Sequence, residues 1–421
     1  MKKLIAIMLA LTLVLSLAAC GGNGGSNNGG SDAATKVSVF WYDEADVYLA
    51  SVRDALNKEL DAAGVTYDNQ FAAGDQSKQL DQINTAIAAG TNLLVVNVVT
   101  SGDPDTAKSI IEAAGNIPVI FFNRAIGTDG SDVTVLSENA TACFIGTDAP
   151  EAGHMQGKMV GEYVLENYDT IDLNGDGVIS YAMFKGQEGN VEAIYRTQFG
   201  VEDADAVLTA AGKPALQYFD AGNTDKYQVD TEGAWSAKAA KEYMDTNLVT
   251  YNEANGNMIE LVICNNDGMA EGVVASLQAA GYNIDNGHVV PVFGVDATEN
   301  AKALIADGAM TGTVKQDAEG MAAAICQTVK AIADGKAPVD ALAGLSDERF
   351  TIAPDCSAKL FVAYAPYTGA YAHVNLNFRA AVVPAAAAPF SIEIQRAPVG
   401  AARTVSETRQ FWLLAIGCSQ K

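Results

Sequence analysis

From Lys36 onward, short and almost wholly apolar runs alternate with longer stretches in which apolar residues recur at helical spacing. Residues 37–41, 93–99 and 118–122 are such runs, and residues 47–62 and 106–114 are amphipathic. A strand covered by helices on both faces is continuously apolar, so this pattern predicts βαβ units around a parallel sheet. The pattern restarts after Pro150 with a helix to Asn167, a strand at 179–184, a helix from Glu192, a strand at 216–219 and a helix from Trp235 to about Leu248. Strands at 259–264, 289–295 and 312–315 follow, each trailed by a helical stretch. Two doubly wound lobes account for this count. In open α/β sheets the ligand lies beyond the carboxyl ends of the strands, so the polar residues there are the first site candidates.

Those positions are rich in hydrogen-bonding groups. Asp46 and Tyr48 follow the first strand, Asn123 follows residues 118–122, and Glu192 and Arg196 follow the strand at 179–184. Asn265-Asn266-Asp267, Asp296 and Gln316-Asp317 follow three later strands. Taken singly, each Asp or Asn is explained by helix capping. Taken together they place carboxylates, amides and a guanidinium at one cleft with no nucleophile–base pair, an inventory suited to binding hydroxyl groups. Trp235 supplies an apolar plate on which the C–H face of a pyranose stacks, and Tyr48 supplies an opposite wall; a core indole is the alternative for Trp235.

Composition limits the partners. The chain has 421 residues, 26 Lys plus Arg against 51 Asp plus Glu and a formal net charge of -25, so phosphate backbones are repelled and nucleic-acid binding is excluded as a function class. The basic head Met1-Lys2-Lys3 and the apolar run 4–19 read as a secretory signal, too short to span a bilayer. The signal ends at Leu17-Ala18-Ala19-Cys20, a lipoprotein box in which Cys20 is the lipidation site, and residues 20–35 form a flexible Gly/Asn/Ser-rich tether. The expected location is therefore the outer face of the cell membrane, with contact through the lipid alone. The remaining Cys143, Cys264, Cys326, Cys356 and Cys418 are odd in number and read as buried thiols, with Cys326/Cys356 the least excluded pair.

Residues 172–180, Asp-Leu-Asn-Gly-Asp-Gly-Val-Ile-Ser, match a calcium loop: oxygen ligands at Asp172, Asn174 and Asp176, a Gly at the sixth position, the Val178 carbonyl and Ser180. The twelfth position is Met183 where a bidentate Glu is expected, and the loop leads into a strand. Either the site is incomplete or its last carboxylate comes from elsewhere.

With these motifs in hand, the chain resembles the periplasmic galactose/glucose-binding proteins of bacterial sugar ABC transporters, within the ribose-type superfamily. The matches are 75–79 with 81–83, 119–123, 172–177, 265–267, 292–296 and 312–314, in the family's order between Lys36 and Tyr367. The resemblance implies an α/β fold of two doubly wound parallel-sheet lobes joined by a hinge of three crossovers, the type I periplasmic binding protein fold. It places the first lobe at 36–143 plus 318–352 and the second at 144–317 plus 353–371. It implies sugar contacts from Asp46, Asn123, Arg196, Trp235, Asn266 and Asp296, with Tyr48 as an aromatic wall. Asn190, Glu192 and Gln316 stand where the family has His, Asp and Asn, which bears on the hexose or anomer preferred. It also implies structural Ca2+, completed by Glu260, with Ser180 in place of a longer Gln.

The implied function is capture of galactose or glucose by a monomer that closes on the sugar and delivers it to an ABC transporter permease. A sugar sensor feeding a chemoreceptor or sensor kinase would use the same cleft. No catalysis is expected: the three His fall outside the cleft positions, and a glycosidase reading would need a carboxylate pair such as Asp46 and Asp296 flanking a glycosidic bond. A repressor of related architecture is disfavoured, since no helix-turn-helix precedes Lys36. Residues 372–421 break the pattern, with no Asp, two Glu and five Arg or Lys, and are read as an appended or frame-shifted, disordered segment not needed for sugar binding.

Overall fold

The computed structural model describes residues 35–369 apart from Asn286. The leader, Cys20, the glycine-rich tether up to residue 34, Cys418 and the 372–421 segment lie outside the described residues. In chain order the first half runs β1 (Lys36–Trp41), α1 (Val47–Ala63), β2 (Thr66–Phe71), α2 (Gln76–Ala88), β3 (Leu93–Val96), α3 (Pro104–Ala114), β4 (Val119–Phe122), α4 (Ser131–Glu138), β5 (Ala142–Gly146) and α5 (Ala149–Ile171). The second half runs β6 (Ser180–Lys185), α6 (Val191–Ala210), β7 (Gln217–Tyr218), β8 (Gln228–Val229), α7 (Ala237–Thr250), β9 (Leu261–Cys264), α8 (Asp267–Ala279), β10 (Val292–Asp296), α9 (Glu299–Ala306), β11 (Gly312–Gln316), α10 (Ala318–Ala333), α11 (Pro338–Ala343), β12 (Phe350–Ile352), β13 (Lys359–Val362) and β14 (Tyr364–Tyr367).

The strands form two sheets. The first has the order β12-β13-β5-β4-β3-β1-β2 and the second β14-β11-β10-β9-β6-β7, with β8 also paired to β6. Each is parallel except for one antiparallel strand, β12 beside β13 and β14 beside β11. Alternate residues of a strand bury on opposite faces, so each sheet carries two cores. Val37, Val39 and Trp41 pack under α1 and α10, while Phe40, Leu94 and Val96 pack on the other face. In the second sheet Met183, Ile263 and Val295 join one core, and Phe184, Val262 and Cys264 the other. The caps fix where the helices begin: Asp46 accepts from Leu49 N, Asp75 from Ser77 N and Lys78 N, and Asn266 from Met269 N.

Three crossovers join the lobes, at Thr147–Asp148, at Asp317 and at Ala363. Two expected lobe boundaries are corrected by the pairing. Residues 144–146 belong to β5 of the first sheet, and β13 at Lys359–Val362 pairs with β5, so of 353–371 only β14 enters the second sheet. The apolar pattern also concealed β2, whose Thr-Tyr-Asp-Asn-Gln-Phe sequence is a half-buried edge strand. The strand at 289–295 begins later, at Val292, and the helix attributed to Trp235 begins at Ala237 behind a Ser236 cap. Cys143, Cys264, Cys326 and Cys356 are buried free thiols, as the apolar runs around Cys143 and Cys264 indicated, and Cys326 and Cys356 do not pair.

Helices α5 and α6 touch backbone to backbone through Gly153, Gly157 and Gly161. A Cβ on Gly157 would fall inside the Phe199 carbonyl oxygen, and one on Gly153 inside the Tyr195 carbonyl oxygen. Replacing a mid-helix Gly by Ala normally gains about 1 kcal/mol of helix propensity. Here overpacking against an immovable backbone costs about 1–3 kcal/mol and wins. Gly157→Ala is expected to lower the midpoint of thermal unfolding; an increase would show that α5 and α6 separate without cost.

Candidate functional site

The carboxyl ends of both sheets face one cavity, lined by Asp46, Tyr48, Asn123, Arg124, Asn190, Glu192, Arg196, Trp235, Asn266, Asp296 and Gln316. Its empty space, open mouth included, is about 410 Å³, of which only about 40 Å³ takes a water-sized sphere, so the side chains close tightly around it. All ten residues expected at the cleft line it, and Arg124 joins them. Capping and lining coincide: Asp46, Asn190 and Asn266 each cap a helix and still face the cavity.

From the first lobe, Asp46 is held by Tyr42, whose hydroxyl donates to Oδ2 at 2.8 Å. Tyr42 in turn stacks under the Arg124 guanidinium at 4.0 Å. Arg124 is buried, donates to the Val99 carbonyl and reaches across the cleft to Gln187 Oε1 at 2.7 Å, so the lobes touch here. The Asn123 side-chain oxygen accepts from Asn97 Nδ2 at 3.2 Å.

From the second lobe, Trp235 lies with its ring flat on Gly186, where any Cβ would enter the indole, and Asn266 Nδ2 donates to the Trp235 carbonyl at 3.2 Å. The Arg196 guanidinium sits 5.8 Å from the Trp235 ring. It donates through Nη1 to the Asn265 carbonyl at 2.9 Å, and Nη2 lies 3.0 Å from Glu192 Oε2, Gln316 Oε1 and Tyr364 Oη. Asn123, Trp235, Asp296 and Ala297 all have positive φ, at 59°, 55°, 128° and 57°. Three of these line the cavity and the fourth, Ala297, directly follows one of them, strain of the kind that persists where side chains must be aimed.

The cavity is polar and underbonded. Nine buried side-chain polar atoms among the described residues have no hydrogen-bond partner, and four of them, Tyr48 Oη, Arg124 Nε, Arg196 Nε and Gln316 Nε2, belong to lining residues. Each such atom costs about 1–3 kcal/mol until something bonds to it. No side-chain hydrogen bond from the described residues holds the Asp296 carboxylate. Burial pushes the carboxyl of Asp296 well above the usual carboxylate range, and Arg196 opposes the shift. Burial likewise raises the Tyr48 phenol.

Residues 37–337 match the family model of the periplasmic binding protein domain. The chain belongs to the periplasmic binding protein family. It is 32% identical over 335 residues to the D-galactose/methyl-galactoside binding periplasmic protein of Haemophilus influenzae, covering 78% of this chain and 91% of that protein. It is 24% identical over 303 residues to the ribose import binding protein of Escherichia coli, covering 70% and 84%. Among solved structures, an ABC transporter solute binding protein from Clostridium phytofermentans with bound β-D-glucose superposes with a TM-score of 0.57 at 23% identity, covering 79% of this chain and 94% of that one. One from Bacillus halodurans with bound myo-inositol gives 0.57 at 21% identity, covering 81% and 96%. These likenesses bear out the type I periplasmic binding protein fold of two doubly wound lobes. No described helix is long and apolar enough to cross a membrane.

In this periplasmic binding protein the 172–180 loop sits at the far side of the second lobe's sheet, and the fold does bring Glu260 to it. Glu260 is fully buried and accepts from Asn174 N and Ser180 N, both at 2.8 Å. Asp172 accepts from the backbone N–H groups of Gly175, Asp176 and Gly177. The donors are all hard oxygens, which fits calcium in kind. Asn174 and Ser180, however, are turned onto the Met258 backbone: Asn174 bonds both its N–H and its carbonyl, and Ser180 Oγ donates to the carbonyl. Among the described residues no three acidic, His or Cys side chains converge closely enough to hold a metal by themselves.

Three residues that matter here were not singled out by sequence. Arg124 directly follows Asn123 at the end of β4, so the strand-end rule points to it as well. Thr147 and Tyr364 carry no local signal; only the crossovers bring them to Glu192. His154 and His288 lie outside the cavity, each paired with a surface carboxylate, Asp203 and Glu253.

The raised Asp296 carboxyl has a consequence for stability. Its folded-state pKa lies above the unfolded value, so charging it costs stability as pH rises through the folded value, and below the unfolded value the cost is gone. Asp296→Asn is therefore expected to unfold at higher temperature than the natural protein above that window, by about 1 kcal/mol, with the gain fading on acidification. Thermal melts across pH check this; a loss of stability at every pH would contradict it.

Proposed function

We propose that this periplasmic binding protein captures an uncharged hexose, galactose or glucose, outside the cytoplasmic membrane and delivers it unaltered to an ABC importer. A lipid on Cys20 would tether it there as a monomer. The observation that carries the reading is the cavity itself: an indole plate, a buried carboxyl at Asp296, and unpartnered polar atoms on Tyr48, Arg124, Arg196 and Gln316. A pyranose offers an apolar face for Trp235 and a ring of hydroxyls that both donate and accept. It satisfies carboxylate and guanidinium alike without introducing a charge. A charged ligand would leave Asp296 or Arg196 opposed by its own sign. Support comes also from the relative named for D-galactose and from the similar fold seen with β-D-glucose. No nucleophile–base pair lines the cavity, so binding without turnover is the chemistry it suits.

Calorimetric titration of protein freed of carried-over sugar tests this. Galactose or glucose is expected to bind one to one and more tightly than ribose or xylose, with a change in tryptophan fluorescence. Trp235→Ala is expected to weaken binding by about ten-fold or more. Silence toward every aldose overturns the proposal.

For the 172–180 loop we propose calcium as the occupant, with Asp172, Asp176, Glu260 and the Val178 carbonyl as ligands and Asn174 and Ser180 contributing after turning from Met258. The ion would supply structural cross-linking of the loop to the segment entering β9. Added calcium is expected to raise the unfolding midpoint of chelator-treated protein, and Asp172→Asn to abolish the rise. An unchanged midpoint would count against the ion.

A further inference from the structure

Glu192 lines the cavity, yet its carboxylate is committed to other side chains. Its side chain is 12% exposed, and both carboxylate oxygens are engaged by protein. Oε1 accepts from Thr147 Oγ1 at 2.9 Å, and Oε2 lies 3.0 Å from both Arg196 Nη2 and the Tyr364 hydroxyl. The Tyr364 hydroxyl also lies 2.9 Å from Thr147 Oγ1 and 3.0 Å from Arg196 Nη2, which itself lies 3.0 Å from Gln316 Oε1.

The chain positions of these partners give the cluster its meaning. Thr147 is in the first crossover, Gln316 is the last residue of β11 as it enters the second, and Tyr364 opens β14 immediately after the third. One carboxylate and one guanidinium, both on the first turns of α6, thus collect a residue at or directly beside each of the three crossovers. Of the guanidinium nitrogens, Nη1 donates to Asn265, Nη2 lies against Glu192, Gln316 and Tyr364, and Nε alone has no partner.

We propose that Glu192, with Tyr364 and Thr147, is a positioning residue that locks Arg196 to the hinge, so that the relative placement of the lobes sets where the Nε edge of Arg196 is aimed. This rests on the sugar-binding reading of the cleft and deepens it. Glu192 acts through Arg196 and takes no sugar hydroxyl itself. The geometry explains why a Glu serves at this position: its extra methylene lets one oxygen reach Thr147 while the other stays on Arg196. A charge-assisted bond of this kind, in a closed site, changes binding by about ten-fold when broken.

The test uses the full-length protein and two variants, Glu192→Gln and Tyr364→Phe, with thermal melts confirming that each folds. Binding is measured for the preferred hexose and for its series of single-deoxy analogues. A shared role predicts that both variants lose about ten-fold in affinity, that their losses follow the same profile across the deoxy series, and that the double variant loses no more than the weaker single one. A profile in which Glu192→Gln singles out one hydroxyl while Tyr364→Phe does not would make Glu192 a direct sugar ligand and overturn the proposal, as would no loss in either variant. A second measurement needs no sugar. Spin labels at Asp54→Cys and Lys238→Cys, exposed positions on the two lobes, report the interlobe distance in ligand-free protein. Both variants are expected to broaden that distribution equally, and an unchanged distribution counts against the lock. If the unaltered protein bound no sugar, the sugar reading would fail, and the interlobe distances would still decide the role of Glu192.

Discussion

A guanidinium buried at the meeting point of two sheets sets the terms for everything around it. Arg196 is taken out of water, and an unpaired buried cation would cost more than the fold can supply. Its partners come from β9's end, from its own helix, from β11 and from β14. No single stretch of chain satisfies it: the opposing charge comes from Glu192 on its own helix, and the remaining bonds need three strands of the second sheet in place, with Thr147 of the first crossover reaching Glu192 and Tyr364 behind them. The balance is also left unfinished: Nε stays unbonded, as do Tyr48 Oη and Gln316 Nε2. A cleft that is polar, enclosed and short of partners is built to be completed by a ligand.

The scaffold supplies aim as well as charge. The apolar strands end at the cleft, and the chain turns sharply there through left-handed Asn123, Asp296 and Ala297, while Trp235 reaches its place on Gly186 through the same backbone region. Capping residues then do double duty. The bond from Leu49 N to Asp46, or from Met269 N to Asn266, both starts a helix and fixes a side chain over the cavity. Rigidity of this kind lowers the ordering cost of binding.

Much of this was legible in the chain. Alternation of apolar runs with amphipathic stretches gives the two lobes, and the rule that ligands lie past strand ends leads to Asp46, Asn123, Glu192, Arg196, Asn266, Asp296 and Gln316. Family resemblance adds Asn190 and relates Glu260 to the loop, against which the fold does place it. What escaped had physical reasons. The strand β2 is polar because it is a half-exposed edge, and the 359–362 strand looks like any other late apolar segment until its pairing with β5 assigns it to the first lobe. Tyr364 and Thr147 are 217 residues apart and meet only through the crossovers, so no local pattern marks them. The role of Glu192 could not be read from its position alone, since a strand-end carboxylate looks the same whether it holds a ligand or a hinge.

A crystal structure of the protein grown with glucose or galactose would show whether the cleft holds a sugar in this way. One pyranose is expected in the cavity, its C–H face on the Trp235 ring, a hydroxyl on the Asp296 carboxylate and another on Arg196 Nε, with Glu192 still bonded to Thr147 and Tyr364. A cavity filled instead by protein side chains, or a sugar bound elsewhere with Asp296 and Arg196 untouched, would contradict it.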